Sequence, residues 1–339
     1  SSSIYTRFHI ILSMSEKQDV ICLSHREDPD GIVSAVLIKH LFNAEIYLVD
    51  YDELLVELKK ITKNKNLSEL FICDLSIIPN IQSEFMVLLE DLSKQNIPIT
   101  YFDHHKISNE LRQKLNELKI DLINSETDCS SAIIFNHHEK NIEPYFTFLT
   151  SCASITDNLE NGPIGKKIIS KYEKMYLYLN SSILWFHIRN NQNNPSKLYQ
   201  IVDNLADKKS PYEILDDYSS LKSHLKILEN KYVNIQKNTI SFENFNCIEI
   251  SDGKFSDNAD KLLATSNKNI SLVYKKNNKD MSVDLVILSN DESEKNLGPV
   301  INSISKKFNG AGGGDKRKSA AVIPQKYFEN FLNELDSNL

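Results

Sequence analysis

Short, unbroken apolar runs alternate with amphipathic stretches through the first third of the chain. Residues 19–24 (DVICLS), 45–50 (EIYLVD), 69–75 (ELFICDL), 97–103 (IPITYFD) and 120–124 (IDLIN) are rich in Ile, Val, Leu and aromatics. They show little polar alternation, which is how strands buried on both faces read. Between them, residues 31–43, 52–62, 81–95 and 107–118 repeat apolar positions at the helical spacing of three and four. Strand and helix in regular alternation predict a parallel sheet with crossover helices.

From about residue 129 to residue 238 the pattern is helical, interrupted by RNNQNNPS at 189–196. Its last segment is long and charged on the outside, as a helix joining two domains would be. Strands return at 239–250, 270–276 and 281–288, with helical runs near 257–265 and 298–307. The glycine-rich stretch 308–324 (FNGAGGGDKRKSAAVIP) reads as a loop, and an amphipathic helix closes the chain. The expected architecture is α/β in two domains: a parallel sheet flanked by helices, a helical connector, and a smaller C-terminal α/β domain. Expected boundaries are an extension over 1–17, a first domain over 18–210, a connecting helix over 211–238 and a second domain over 239–339.

Bulk properties narrow the classes of function. At 339 residues the chain is long enough for two cores. Its 41% hydrophobic and 25% charged content is that of an ordinary globular protein. A net charge of −7 argues against coating long duplex nucleic acid, which depends on neutralising phosphates. A local basic pocket for a small phosphorylated ligand is compatible with it. No window is long and apolar enough for a membrane span. The five cysteines are widely spaced and form no C-x-x-C pair, so buried reduced thiols in a cytoplasmic protein are expected. SSSIYTRFHIILS, ahead of Met14, has no small-residue cleavage pattern and reads as an extension of the start.

The chemistry sits where the early strands end. His25, Asp28, Asp30 and Gly31 follow VICLS, Asp74 follows LFIC, and Asp103, His104 and His105 close ITYF. Asp157 follows a mostly apolar helical stretch. In parallel α/β sheets, ligands bind beyond the carboxyl ends of the strands. Carboxylates crowded there repel one another, and divalent cations relieve the repulsion. A mixed carboxylate and imidazole set suits Mn2+ or a similar ion. One carboxylate shared by two ions about 3.5–4 Å apart suits in-line attack on phosphorus. Each piece has a plainer reading, since D-x-D-G is also a turn or a helix N-cap. Their recurrence at successive strand ends favours the metal site. His137 and His138, on a helical pattern with no strand before them, read as surface.

HREDPDGIVSA, FICDLS, YFDHHK and SITDNL, in that order, resemble the four motifs of the DHH phosphoesterase family, which is named for the third. FNGAGGGDKRKSAAVIP resembles the glycine-rich motif of the associated C-terminal domain, and the likeness runs from about residue 18 to residue 325. The resemblance implies a catalytic domain over 18–210, a substrate-binding domain over 239–339, and an active site in the cleft between them. It implies one metal on His25, Asp28 and Asp74, and a second on Asp30, Asp74, His104 and Asp157, with Asp74 bridging. Asp74, Asp103 and His105 are the implied catalytic residues. Asp103 would support the histidine next to it, and His105 would stand against the scissile phosphate. A water activated by both ions would attack. The implied cofactor is Mn2+, two ions, with Mg2+ or Co2+ as substitutes. Gly312, Gly313, Gly314, Asp315, Lys316, Arg317 and Lys318 are the implied substrate-binding set, in which backbone N–H groups cradle a phosphate and the cations add charge. Taken alone, that segment is a solvated basic turn.

Two positions depart from the family pattern. There is one residue more between His25 and Asp28 than in His-x-Asp-x-Asp. Asp315 stands where the family has histidine after its glycines, and an ionised carboxylate cannot donate to a phosphate. The expected function is hydrolysis of short nucleotide substrates: oligoribonucleotides, linear or cyclic dinucleotides, or a bisphosphorylated nucleotide such as pAp. The expected partners are these substrates and no membrane, with a homodimer left open. The alternatives are a RecJ-like single-strand exonuclease, a family II-like pyrophosphatase and a non-catalytic scaffold. An exonuclease needs a long basic, aromatic-lined path, which the sequence does not display. A scaffold loses motif aspartates, and here Asp28, Asp30, Asp74, Asp103 and Asp157 all stand.

Overall fold

The first half of the molecule is built on strands β1 (Asp19–His25), β2 (Glu45–Val49), β3 (Leu67–Cys73), β4 (Ile99–Asp103) and β5 (Asp121–Asn124). Helices α1 (Pro29–Phe42), α2 (Leu54–Ile61), α3 (Gln82–Lys94) and α4 (Asn109–Glu117) alternate with them. The computed structural model describes residues 19–339 apart from 65, 216, 252, 254 and 291, so the extension expected over 1–17 lies outside the described residues. The described chain falls into two compact units that divide between residues 216 and 217.

All five strands of the first sheet run parallel, in the order β2-β1-β3-β4-β5. The chain steps outward from β1 to β2 and then returns to the opposite side of β1 for β3. The loops leaving β1 and β3 therefore diverge, and the crevice between them is where doubly wound sheets bind ligands. Alternate side chains point to opposite faces. Ile21, Leu23, Leu70, Ile72, Ile99 and Tyr101 pack under α2, α3 and α4. Cys22, Phe71, Cys73 and Phe102 face the other layer, formed by α1 together with α5 (Ser130–His138), α6 (Pro144–Thr156), α7 (Pro163–Ile169), α8 (Lys174–Asn190) and α9 (Pro195–Ala206). The five cysteines are buried and unbridged. His137 is exposed at the end of α5, with His138 half-buried beside it.

Helix α1 has strong local signals at both ends. Asp28 is its N-cap, Pro29 stands in the first turn, and Asn43 closes it in the left-handed conformation at φ 52°. Its first ten residues are all buried, so the helix lies deep against β1. Gly31 permits that approach, because a Cβ there would stand 2.2 Å from the carbonyl oxygen of His25. Gly31→Ala is therefore expected to cost about 3 kcal/mol, as overpacking does. Urea denaturation of the variant checks this, and an unchanged midpoint would mean that the end of β1 yields readily.

The second unit comprises α10 (Tyr218–Asn238), β6 (Ile240–Ser241), β7 (Asn246–Glu249), α11 (Phe255–Ala264), β8 (Ile270–Asn277), β9 (Ser282–Ser289), α12 (Leu297–Lys307), β10 (Ala311–Gly314), β11 (Lys318–Pro324) and α13 (Phe328–Asn338). Its six strands lie in the order β10-β11-β9-β8-β7-β6, antiparallel except for β7 with β8. Helices α12 and α13 cover one face and α11 the other. The single strand expected over 239–250 is a tight hairpin, β6 and β7, closed by Phe242 N–H donating to Phe245 O at 2.9 Å. The stretch read as a glycine loop is also ordered differently. Gly312, Gly313 and Gly314 form the edge strand β10, paired to β11, and the turn is Asp315-Lys316-Arg317. Small residues are needed because α12 lies close beneath: a Cβ on Gly312 would meet Ser305 Oγ at 2.5 Å. Among the described residues, no helix is long and apolar enough to cross a membrane.

Candidate metal centre

The crevice at the carboxyl ends of β1, β3 and β4 gathers the residues singled out in the first four motifs. His25 ends β1, with Nδ1 3.3 Å from Asp28 Oδ2 and 3.7 Å from Asp74 Oδ2. Asp28 accepts from Gly31 N–H at 3.1 Å while facing His25, so capping the helix and lining the site are done by one side chain. Asp74 follows β3 directly and is held at φ 57°, in the left-handed region. Asp and Asn enter that region more readily than other non-glycine residues, and such strain is concentrated at functional positions. The Asp74 N–H donates to Phe102 O at 2.9 Å, which ties the strained residue to β4.

His104 Nε2 lies 3.2 Å from Asp74 Oδ1 and 3.5 Å from Asp157 Oδ2. Asp157 is the C-cap of α6, where the helix dipole disfavours a carboxylate. Asp30, in the first turn of α1, is 1% exposed and is bonded by Ser130 and Ser131 at the start of α5. Asp103 Oδ1 lies 2.8 Å from His105 Nδ1. Its partner is thus His105, and not the adjacent His104 that the sequence suggested. Side chains two apart along an extended chain share a face, whereas neighbours point to opposite faces.

Charge in the crevice is strongly coupled. Burial opposes protonation of His25, but the nearby carboxylates of Asp28, Asp50 and Asp74 outweigh it and raise its pKa. His104 follows the same pattern: burial lowers it, Asp74, Asp30 and Asp157 raise it, and the result is about 10. His105 is raised against burial by Asp103. Asp74 is held below the usual carboxylate range, because its two histidines overcome burial. Burial and the charge of Asp30 push Asp157 up to about 9. Burial and Asp74 push Asp30 up to about 6.

This set of donors fits divalent cations. Candidate ligand atoms within 4.8 Å of one another occur in the groups His25–Asp28–Asp74, Asp74–His104–His105 and Asp30–His104–Asp157. Asp74 joins the first two, and His104 the last two. Asp157 Oδ2, Asp103 Oδ2 and His25 Nε2 are buried without hydrogen-bond partners, and such orphaned polar atoms call for an ion or water. A further group, His25–Glu27–Asp50, includes two residues outside the expected set, Glu27 and Asp50. Asp50 follows β2, 3.8 Å from His25 Nε2. The rule applied to the other strand ends points to it equally. Gly312 to Lys318 lie in the second unit, on β10, the turn that follows it and the first residue of β11.

Neither a protein-family model nor a curated protein sequence matches the chain. Solved structures do. The pGpG-specific phosphodiesterase PggH of Vibrio cholerae aligns over 94% of this chain and 98% of its own, with a TM-score of 0.58 and 14% identity. The DHH domain of a member of the S1P family of ribosomal proteins aligns over 95% of this chain and 86% of its own, with a TM-score of 0.67 and 11% identity. The fold is that of the DHH phosphoesterases. RecJ of Thermus thermophilus, solved in complex with Mn2+, shares the DHH fold over 95% of this chain, with a TM-score of 0.56 and 12% identity. The chain spans about half of RecJ, 52% of its length. Both sheets of the two-unit DHH architecture are therefore present here, with the candidate centre at the carboxyl edge of the first.

Proposed function

We propose that the chain is a divalent-cation-dependent phosphodiesterase acting on short nucleotide substrates: oligoribonucleotides, linear or cyclic dinucleotides, or pAp. The observation that carries this reading is the buried Asp74, left-handed in backbone and joined to histidines from two different strand ends. His25, Asp28 and Asp74 would hold one ion, and Asp30, Asp74, His104 and Asp157 a second. Held there, such ions would supply Lewis acidity for a water nucleophile and for the charge that develops on a phosphoryl group. Mn2+ suits the mixture of carboxylate and imidazole.

The protein's own groups then have definable tasks. Asp103 holds His105 by Nδ1, which fixes the ring and leaves Nε2 to carry a proton. Asp103 favours the protonated ring and raises the His105 pKa against burial, which suits a general acid for the leaving oxygen. In the second unit, Gly312, Gly313 and Gly314 with Asp315, Lys316, Arg317 and Lys318 are the proposed substrate-binding element. Short substrates are favoured because the chain resembles PggH, named for a dinucleotide, over 94% of its own length and 98% of PggH.

A hydrolysis panel with Mn2+ tests the reading: a dinucleotide, a five-mer and a twenty-mer of RNA and DNA, cyclic di-AMP, pAp and pyrophosphate. Turnover confined to the short or cyclic substrates is expected. Preference for the twenty-mer would replace the reading with an exonuclease, and preference for pyrophosphate with a pyrophosphatase. No turnover with Mn2+ bound would leave a scaffold.

A further inference from the structure

The carboxylates of the crevice are held by an element that none of the four motifs contains. Helix α5 begins at Ser130, and its first two residues reach across to α1 and β3. Ser130 N–H donates to Asp30 Oδ2 at 2.7 Å, and Ser131 N–H donates to Asp30 Oδ1 at 2.8 Å. Ser131 Oγ donates to the same Oδ1 at 2.6 Å. Ser130 Oγ donates to Asp74 Oδ1 at 3.1 Å. Ser130 and Ser131 are both fully buried, Asp30 is 1% exposed and Asp74 2%. Water cannot substitute for these bonds there.

The bonding pattern constrains what Asp30 can offer. An ionised carboxylate has about four acceptor positions, two on each oxygen. Oδ1 has both of its positions filled, by the N–H and the hydroxyl of Ser131. Oδ2 has one filled, by Ser130 N–H. A single acceptor position on Oδ2 remains for a cation. Ser130 meanwhile joins the two carboxylates directly, through its backbone to Asp30 and its hydroxyl to Asp74. Side chains that must act together are set at a fixed separation by one residue, itself fixed at a helix N-terminus, where N–H groups are pre-aimed at negative charge.

We propose that Ser130 and Ser131 are positioning residues of the metal centre, which select one oxygen of Asp30 for the cation and fix Asp30 relative to Asp74. The proposal rests on the reading of the crevice as a divalent-cation site. A capping role alone does not account for the pattern. The helix would be capped as well by one acceptor, yet both serine hydroxyls are spent on carboxylates, not on the backbone.

The test compares wild type with Ser131→Ala, Ser130→Ala and the conservative Ser131→Thr. Mn2+ affinity is read by the electron paramagnetic resonance of free Mn2+, and kcat and KM are read on the best substrate of the panel. Loss of a group that orients a ligand costs about 10–100-fold in metal affinity or activity. A loss of that size is expected for Ser131→Ala in Mn2+ affinity, with KM little changed and the melting temperature in EDTA close to wild type. Ser131→Thr, which keeps the hydroxyl, is expected to recover most of it. Mn2+ affinity and kcat equal to wild type in both alanine variants would overturn the proposal. So would a loss that tracks a fall in melting temperature and is not recovered by threonine. A wild-type protein that neither binds Mn2+ nor turns over any substrate would instead overturn the cation-site reading beneath it.

Discussion

Asp74→Asn is expected to lower kcat/KM by about 10³-fold while leaving the fold intact. Among the described residues Asp74 is the one carboxylate that faces both His25 and His104, and its position ties the two halves of the crevice together. Lewis-acid stabilisation of a transferring phosphoryl group is worth several kcal/mol, and each 1.36 kcal/mol is a factor of ten in rate. Asparagine is the informative replacement. It adopts the left-handed conformation that residue 74 requires, so the φ of 57° need not change. Alanine would add backbone strain to the loss of charge and blur the result. A cooperative melting transition in EDTA together with a collapse of Mn2+-dependent turnover would support the reading. Activity within tenfold of wild type would remove Asp74 from the centre.

Mn2+ binding is expected to strengthen with pH and to release protons. Without the cation, His104 titrates at about 10 and Asp157 at about 9, so both carry protons at pH 7. A cation needs the neutral imidazole and the carboxylate. Each proton it displaces makes the affinity rise about tenfold per pH unit below the relevant pKa. Stability without the cation should change in the opposite direction. Asp157 has its folded pKa raised above 3.8, so its contribution is whole below that value and lost as pH rises through about 9. The contribution of His104 is whole below 6.5 and lost as pH rises through about 10. Between pH 7 and 9 the melting temperature in EDTA should therefore fall, and the increment from Mn2+ should grow. Calorimetry in two buffers of different ionisation enthalpy counts the protons released. A buffer-independent heat with a pH-independent Kd would show that these groups are not displaced.

The fold was legible because buried parallel strands lack polar alternation. Residues 19–24 and 97–103 stand out as apolar runs between helical patterns, and the structure places β1 and β4 there. The glycine segment misled because glycine is a poor strand former when considered alone. It is a strand because Ser319, Ala320 and Ala321 of β11 offer a partner and α12 demands a close approach. Within the crevice, strand ends announced His25, Asp74 and His104. The pairing of Asp103 with His105 was within reach of the two-residue period but was assigned to the neighbour. Ser130 and Ser131 were not legible. Their role depends on α5 arriving at Asp30, one hundred residues away in sequence, and nothing local in SSAII signals that arrival.

The strand order also has a consequence for the chain as it is made. Of the described strands of the first sheet, β1 is synthesised before the others but lies between β2 and β3, and its inner residues are fully buried in the finished sheet. At roughly 5–20 residues per second, several seconds separate the appearance of His25 from that of Cys73, during which one side of β1 has no partner. Asp157 emerges later still. A nascent chain stalled before β3 would display one edge of β1 and lack Asp74, His104 and Asp157, so the cation cannot steady the sheet at that stage.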